Sequence, residues 1–196
     1  RNGKELSLIV EELWNELHNS NFAPVMFELS FGMDAEGFAP IHIQGNAASA
    51  KVRGYVDRVD VWNDNGKPYF RVVDYKTGQK TFDYCDIING IGLQMLLYLF
   101  ALEQKDSEIL GEQPIPAGVQ YFPARVPVVS VENGADESEA AKERDKVWKR
   151  SGLLFNEEHV LAAMEPADMP SRMPFKRKKD GSVTGDLADR DQFAKL

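Results

Sequence analysis

Two carboxylates and a lysine are spaced in this sequence so that they call for a cation. Asp64-Asn65-Gly66-Lys67 separates two runs of strand-like residues, Ala50 to Trp62 and Tyr69 to Lys76. Asn-Gly in such a setting is the strongest short signal for a β-hairpin. Counted outward from the turn, facing positions sum to 131 whether the loop holds two residues or four. Asp57 then faces Asp74, with Cβ atoms about 4.5–5.5 Å apart, and like charges so placed destabilise a sheet unless something compensates them. Alternation along the strand puts Lys76 on the face of Asp57 and Asp74 and turns Val73 and Tyr75 away. Asp60 faces Arg71 on the other side, an ion pair of modest value. Two carboxylates at this separation suit Mg2+ or Mn2+, which take one or two carboxylates and fill the remaining positions with water and phosphate oxygens. An ammonium beside them can orient or deprotonate an attacking water. The same residues also fit a surface hairpin whose acids are neutralised by Lys76 and splayed into solvent.

A second pair follows. Gln94 and Tyr98 stand at i and i+4, on one face of a helix, inside the strongly apolar segment Asp86 to Gln104. A glutamine in apolar surroundings needs partners, or it costs about 1–3 kcal/mol. It is either a core residue bonded to backbone or a residue that positions the lysine, the water or a substrate phosphate.

The elements that carry these residues follow from periodicity. Leu6, Ile9, Val10, Leu13, Trp14 and Leu17 recur at three- and four-residue spacing, predicting a helix over Glu5 to Leu17 with an acidic outer face. Val25 to Phe31 and Ile41 to Gln44 read as strands on either side of the turn-rich segment Gly32 to Pro40. Ala117 to Val129 reads as a strand at a sheet edge, because it holds Pro123 and Pro127. Helices are expected at Ala135 to Arg150, Glu157 to Glu165 and Asp189 to Leu196, with a basic hairpin or loop at Lys176 to Gly181. This order predicts an α/β (α+β) sandwich rather than a doubly wound fold.

Composition bounds the rest. The chain has 196 residues, enough to bury about 70% of its unfolded surface in one core and too few for two. We expect a single domain over residues 1–196, cut from a longer protein, in a cytoplasmic setting. No apolar run reaches the roughly 18 residues a membrane helix needs, and the N-terminus lacks a signal-peptide pattern. The one cysteine, Cys85, can make no internal disulfide. A net charge of −8 is unlike the basic footprint of a free-standing DNA binder, although bound divalent metal or a larger basic assembly would still allow action on DNA. His42 and His159 match no zinc spacing. No glycine-rich phosphate loop is present for an ATP-driven motor.

Three segments, Gly54-Tyr55-Val56-Asp57-Arg58-Val59-Asp60, Val72-Val73-Asp74-Tyr75-Lys76-Thr77-Gly78 and Gly92-Leu93-Gln94-Met95-Leu96-Leu97-Tyr98-Leu99, in this order, resemble the RecB-like branch of the PD-(D/E)XK nuclease superfamily. Flanking segments are similar to AddB-type nuclease domains: Phe27 to Gly32, Gly118 to Phe122, Gly152 to Phe155 and Lys178 to Gly181. The resemblance covers nearly all of the chain from Phe22 onward. It implies a restriction-endonuclease-like core, a central mixed sheet flanked by helices. It further implies metal binding by Asp57, Asp74 and the backbone carbonyl of Tyr75, a catalytic Lys76 and a Gln94/Tyr98 helix motif. The implied reaction is Mg2+-dependent hydrolysis of DNA single strands, Mn2+ being an alternative ion. The implied partners are DNA and an AddA-like helicase subunit, with no membrane.

Two departures from the family pattern stand out. The family's histidine ligand in a Gly-x-x-x-His setting has no counterpart, since His18 follows Trp14 and reads as a surface residue; Glu28 is a possible carboxylate at the site's edge. The family's iron–sulfur cluster needs four thiolates, which one cysteine does not supply. A chain without both would bind metal weakly and cut poorly on its own. A catalytically silent nuclease-fold scaffold for DNA or a partner subunit is the alternative function, and a Cas4-like nuclease is a third reading that the flanks and cysteine count oppose.

Overall fold

The computed structural model describes residues 2–35, 37–78, 81–89, 92–104, 110–125, 145–169, 171–193 and 195. Its centre is a six-stranded mixed sheet in the order β1-β4-β5-β6-β7-β10. These strands are β1 (Ala23–Phe31), β4 (Gly54–Asp64), β5 (Lys67–Lys76), β6 (Ile115–Pro123), β7 (Ser151–Phe155) and β10 (Leu187–Ala188). The pairs β1/β4, β4/β5 and β6/β7 are antiparallel, while β5/β6 and β7/β10 are parallel. Two short antiparallel pairs lie outside it: β2 (Ile41–Gln44) with β3 (Ser49–Val52), and β8 (Phe175–Arg177) with β9 (Val183–Gly185). The helices are α1 (Asn2–Asn19), α2 (Tyr84–Ile88), α3 (Gln94–Glu103), α4 (Glu158–Met164) and α5 (Arg190–Phe193). Among the described residues no helix is long and apolar enough to cross a membrane.

The β4–β5 ladder runs from Arg58↔Val73 to Asp64↔Lys67, every pair summing to the expected 131. Other expectations need correction. Ala50 to Trp62 is two strands: β3 pairs with β2, and only β4 enters the main sheet. Asp86 to Gln104 is likewise two helices, α2 and α3, with Gly92 between them at φ +73°, a left-handed backbone that glycine adopts without strain. β6 is an interior strand between β5 and β7; Pro123 is tolerated because it is the last residue of the strand. Most of the helix expected at Ala135 to Arg150 lies outside the described residues, and Arg150 itself precedes β7.

The sharpest departure is α1. Its helix forms as expected, but Leu6, Val10 and Trp14 are exposed while Glu12 and Glu16 are buried. The acidic side faces the sheet because the sheet presents buried arginines there. Glu16 Oε1 accepts from Arg58 (2.7 Å) and Arg71 (3.1 Å); its Oε2 accepts from Arg150 (2.8 and 3.0 Å) and from the Gln120 amide (3.2 Å). Asp60 pairs with Arg58 and Arg71 at 2.8 Å each, and Arg150 reaches Glu12 at 2.6 Å. Asp60–Arg71 is thus not an isolated pair of modest value but part of a network in which Arg58, Arg71 and Asp60 are fully buried. On the other face, Phe70, Val72, Val119 and Tyr121 join Met95, Leu96, Tyr98, Leu99 and Leu102 of α3 in the main apolar core.

Removing one partner from a buried ion pair leaves the others unneutralised and costs about 3–5 kcal/mol. Glu16→Gln should therefore destabilise the fold by about that amount in chemical denaturation. Burial would raise the Glu16 pKa, but Arg150, Arg71 and Arg58 together hold it down at about 2, against an ordinary 4.5. A depressed carboxylate stabilises the fold above its unfolded pKa, and that stabilisation is lost as pH falls. Thermal melts of the native chain should drop between about pH 4.5 and 2, and Glu16→Gln should lack that component.

Candidate active site

The carboxylates sit one step beyond the last β4–β5 ladder pair, where the strands begin to part. Asp57 precedes Arg58 and Asp74 follows Val73. Asp57 Oδ2 accepts the backbone N–H of Tyr75 at 2.7 Å, tying the end of β4 to that of β5. Lys76 Nζ lies 2.5 Å from Asp74 Oδ2, with Asp74 mostly covered and the lysine more open. Tyr75 points the other way, as alternation requires, and its hydroxyl accepts from Arg58 at 2.9 Å. The strand end therefore joins two layers: carboxylates and ammonium on one face, the buried arginine network on the other.

The sheet adds a residue that sequence reasoning missed. In the parallel β5–β6 register Asp74 lies beside Tyr121, and Tyr121 in turn beside Ser151 of β7. Burial, and secondarily the charge of Asp74, push the Tyr121 hydroxyl up to about 12, so the ring stays neutral at physiological pH. The Lys76 ammonium stands 6.0 Å from the centre of that ring, at the outer limit of a cation–π contact. Tyr121 was legible as part of a strand and of the family-like segment Gly118 to Phe122, but not as a neighbour of Asp74, because a parallel pairing made across an intervening helical segment leaves no local mark.

Gln94 and Tyr98 do come together, but not as a buried pair beside the carboxylates. Gln94 is exposed at the start of α3 and donates to the Tyr98 hydroxyl at 2.8 Å. Tyr98 is buried, stacks on Phe31 with ring centres 4.9 Å apart, and its hydroxyl lies 3.5 Å from the Arg53 carbonyl. The pair bears on Gly54, where a Cβ would sit 2.1 Å from the tyrosine oxygen. Gly54 is three residues ahead of Asp57, about 10 Å along a strand. This helix end thus holds the entry to β4.

Of the remaining candidates, Glu28 lies near the carboxylates in register and the others lie elsewhere. Glu28 is exposed at φ +49°, at the place where register puts it across from Asp57, though the β1–β4 ladder has no pair there. His18 is exposed and stacks on Trp14, and Cys85 is exposed. His159 lies beside Tyr69 and Asp64, near the turn end of the hairpin. Among the described residues no group of three or more His, Cys, Asp or Glu side chains is gathered for a metal ion. Two carboxylates nonetheless suffice for a hard divalent cation that keeps water ligands. A carboxylate offers about four acceptor positions, so the bond from Tyr75 leaves Asp57 room for one.

A hairpin ending in paired acids and a lysine, in a mixed sheet flanked by helices, defines a nuclease class, and the chain belongs to the PD-(D/E)XK nuclease superfamily, whose family model matches residues 3–194. It is similar to an ATP-dependent helicase/deoxyribonuclease subunit of the AddB type from Moorella thermoacetica, 34% identical over 97% of this chain and 17% of that protein. The subunits of the same name from Symbiobacterium thermophilum and Oceanobacillus iheyensis are 32% and 33% identical, over 98% and 90% of the chain. The chain thus spans about a sixth of the length of these relatives.

The close approach at Gly54 yields a test. Gly54→Ala should destabilise the protein by about 1–3 kcal/mol through overpacking. The cost should shrink in a Tyr98→Phe background, where the clashing oxygen is gone. A double-mutant cycle in chemical denaturation reads this coupling; equal costs in both backgrounds would refute the contact.

Proposed function

We propose that the chain is a single nuclease domain that hydrolyses phosphodiester bonds of DNA single strands in a divalent-metal-dependent reaction, as part of a cytoplasmic helicase–nuclease that processes broken DNA ends. The observation that carries this reading is the β4–β5 strand end, where Asp57 is bonded to the Tyr75 backbone and Asp74 is paired with Lys76, in a chain of nuclease family. The relatives' printed name, helicase/deoxyribonuclease subunit, supports DNA as substrate and an AddA-like helicase subunit as partner.

In this reading Asp57, Asp74 and the carbonyl of Tyr75 hold Mg2+ or Mn2+. Such an ion supplies Lewis-acid polarisation of the phosphoryl oxygen and activation of water. The protein supplies the rest. The Tyr75 N–H holds the Asp57 carboxylate in place, so its orientation is set before a cation arrives. Lys76 is held at the site by Asp74; there its ammonium orients the attacking water and offsets charge growing on the phosphoryl group. Gln94 and Tyr98 are positioning residues that act through Gly54 and the start of β4. The four thiolates of an iron–sulfur cluster are not available within this chain, which has one cysteine.

End-labelled single-stranded DNA incubated with Mg2+ or Mn2+ tests the assignment. Asp74→Ala and Lys76→Ala should each lower cleavage by about a hundredfold or more, the usual loss for a group that stabilises transition-state charge. Activity that survives both substitutions would remove the assignment.

A further inference from the structure

Among the described arginines that are buried or half-buried, Arg58, Arg71, Arg150 and Arg172 are paired with carboxylates, and Arg177 donates to the Glu165 carbonyl. Arg125 differs. It is half-buried, its Nε is shielded from solvent, and that Nε has no hydrogen-bond partner. A guanidinium cannot shed its proton to escape the problem. A buried donor left without an acceptor costs about 1–3 kcal/mol, a cost that an arriving acceptor would relieve.

The position of Arg125 says which acceptor. β6 ends at Pro123, beside Lys76 in the parallel register, and the Ala124 N–H donates to the Lys76 carbonyl at 2.9 Å. Arg125 is the next residue, so its backbone leaves the sheet at the end that carries Asp57, Asp74 and Lys76. Two carboxylates there repel an anionic backbone, and a persistent positive charge carried at that end of the sheet offsets that repulsion. The flat, forked guanidinium matches a phosphate's paired oxygens better than an ammonium does. We infer that Arg125 is a phosphate-binding residue of this centre, its side chain turning out of the position that shields Nε so that a backbone phosphate of the DNA strand beside Lys76 becomes the acceptor that Nε lacks. The inference rests on the nuclease reading for its substrate, and on the orphaned Nε for its site.

Binding without metal separates the two. A fluorescent oligo(dT) is titrated with the chain in EDTA by anisotropy, at salt concentrations from about 50 to 200 mM. For single strands the slope of log K against log salt is about −0.7 per neutralised phosphate. Arg125→Gln should therefore flatten the slope by about 0.7 and weaken binding several-fold, while Arg125→Lys keeps the slope. Lys67→Ala, nine residues and about 30 Å along β5 from Lys76, should keep it too. Because Arg125 has no protein acceptor at Nε, Arg125→Gln should melt no lower than the native chain. An unchanged slope in Arg125→Gln would overturn the inference. So would equal flattening in Arg125→Lys or Lys67→Ala, or an Arg125→Gln protein that melts early. Cleavage that persists in Asp74→Ala and Lys76→Ala would strike the nuclease reading alone and leave the salt slope standing.

Discussion

The structure depends on a buried charge network that joins α1 to the sheet. Glu12, Glu16 and Asp60 are matched by Arg58, Arg71 and Arg150, with the Gln120 amide and Tyr75 hydroxyl taking further bonds. Burying ions is costly unless partners and hydrogen bonds are nearly complete, and here almost every group has several. The rings of Tyr75, Phe22 and Phe122 lie under Arg58, Arg71 and Arg150, so the guanidinium faces are covered as well. Such a network tolerates little sliding: a one-residue slip of β4 against β5 would turn Arg58 and Asp60 out of it and leave Arg71 without Asp60.

That intolerance matters for the opposite face. Asp57 and Arg58 are adjacent, so the network that holds Arg58 also decides where Asp57 emerges. Tyr75 couples the layers directly, its side chain accepting from Arg58 and its backbone N–H donating to Asp57. Opposed acids are unfavourable in a sheet, and the rigid layer behind them limits how far the strands part at Asp57 and Asp74. From the other side, α3 closes on β4 through Tyr98 and Gly54, leaving no space for a side chain larger than hydrogen.

The turn end and the site end of the hairpin divide the labour. At the turn, Asn65 and Gly66 take the positive φ values that set the register. At the other end the ladder stops, the strands part, and the groups with chemistry lie in the gap. β6 enters beside β5 in parallel and brings Tyr121 next to Asp74, with Arg125 following just beyond.

Much of this was legible in the residues alone, and the limit has a physical cause. Asn65-Gly66 determines the register by turn geometry, and register with a two-residue period determines that Asp57, Asp74 and Lys76 share a face while Tyr75 does not. These are local rules, acting over a few bonds. The orientation of α1 was not legible, because periodicity shows that a helix has two faces and not which one the rest of the protein wants: the arginines that draw Glu12 and Glu16 inward lie 42 to 160 residues away. The interior place of β6, the pairing of Tyr121 with Asp74 and the exposure of Gln94 were hidden for the same reason. Each depends on which distant segments meet, and that is settled by burying charge and apolar surface over the whole chain, not by any stretch of it.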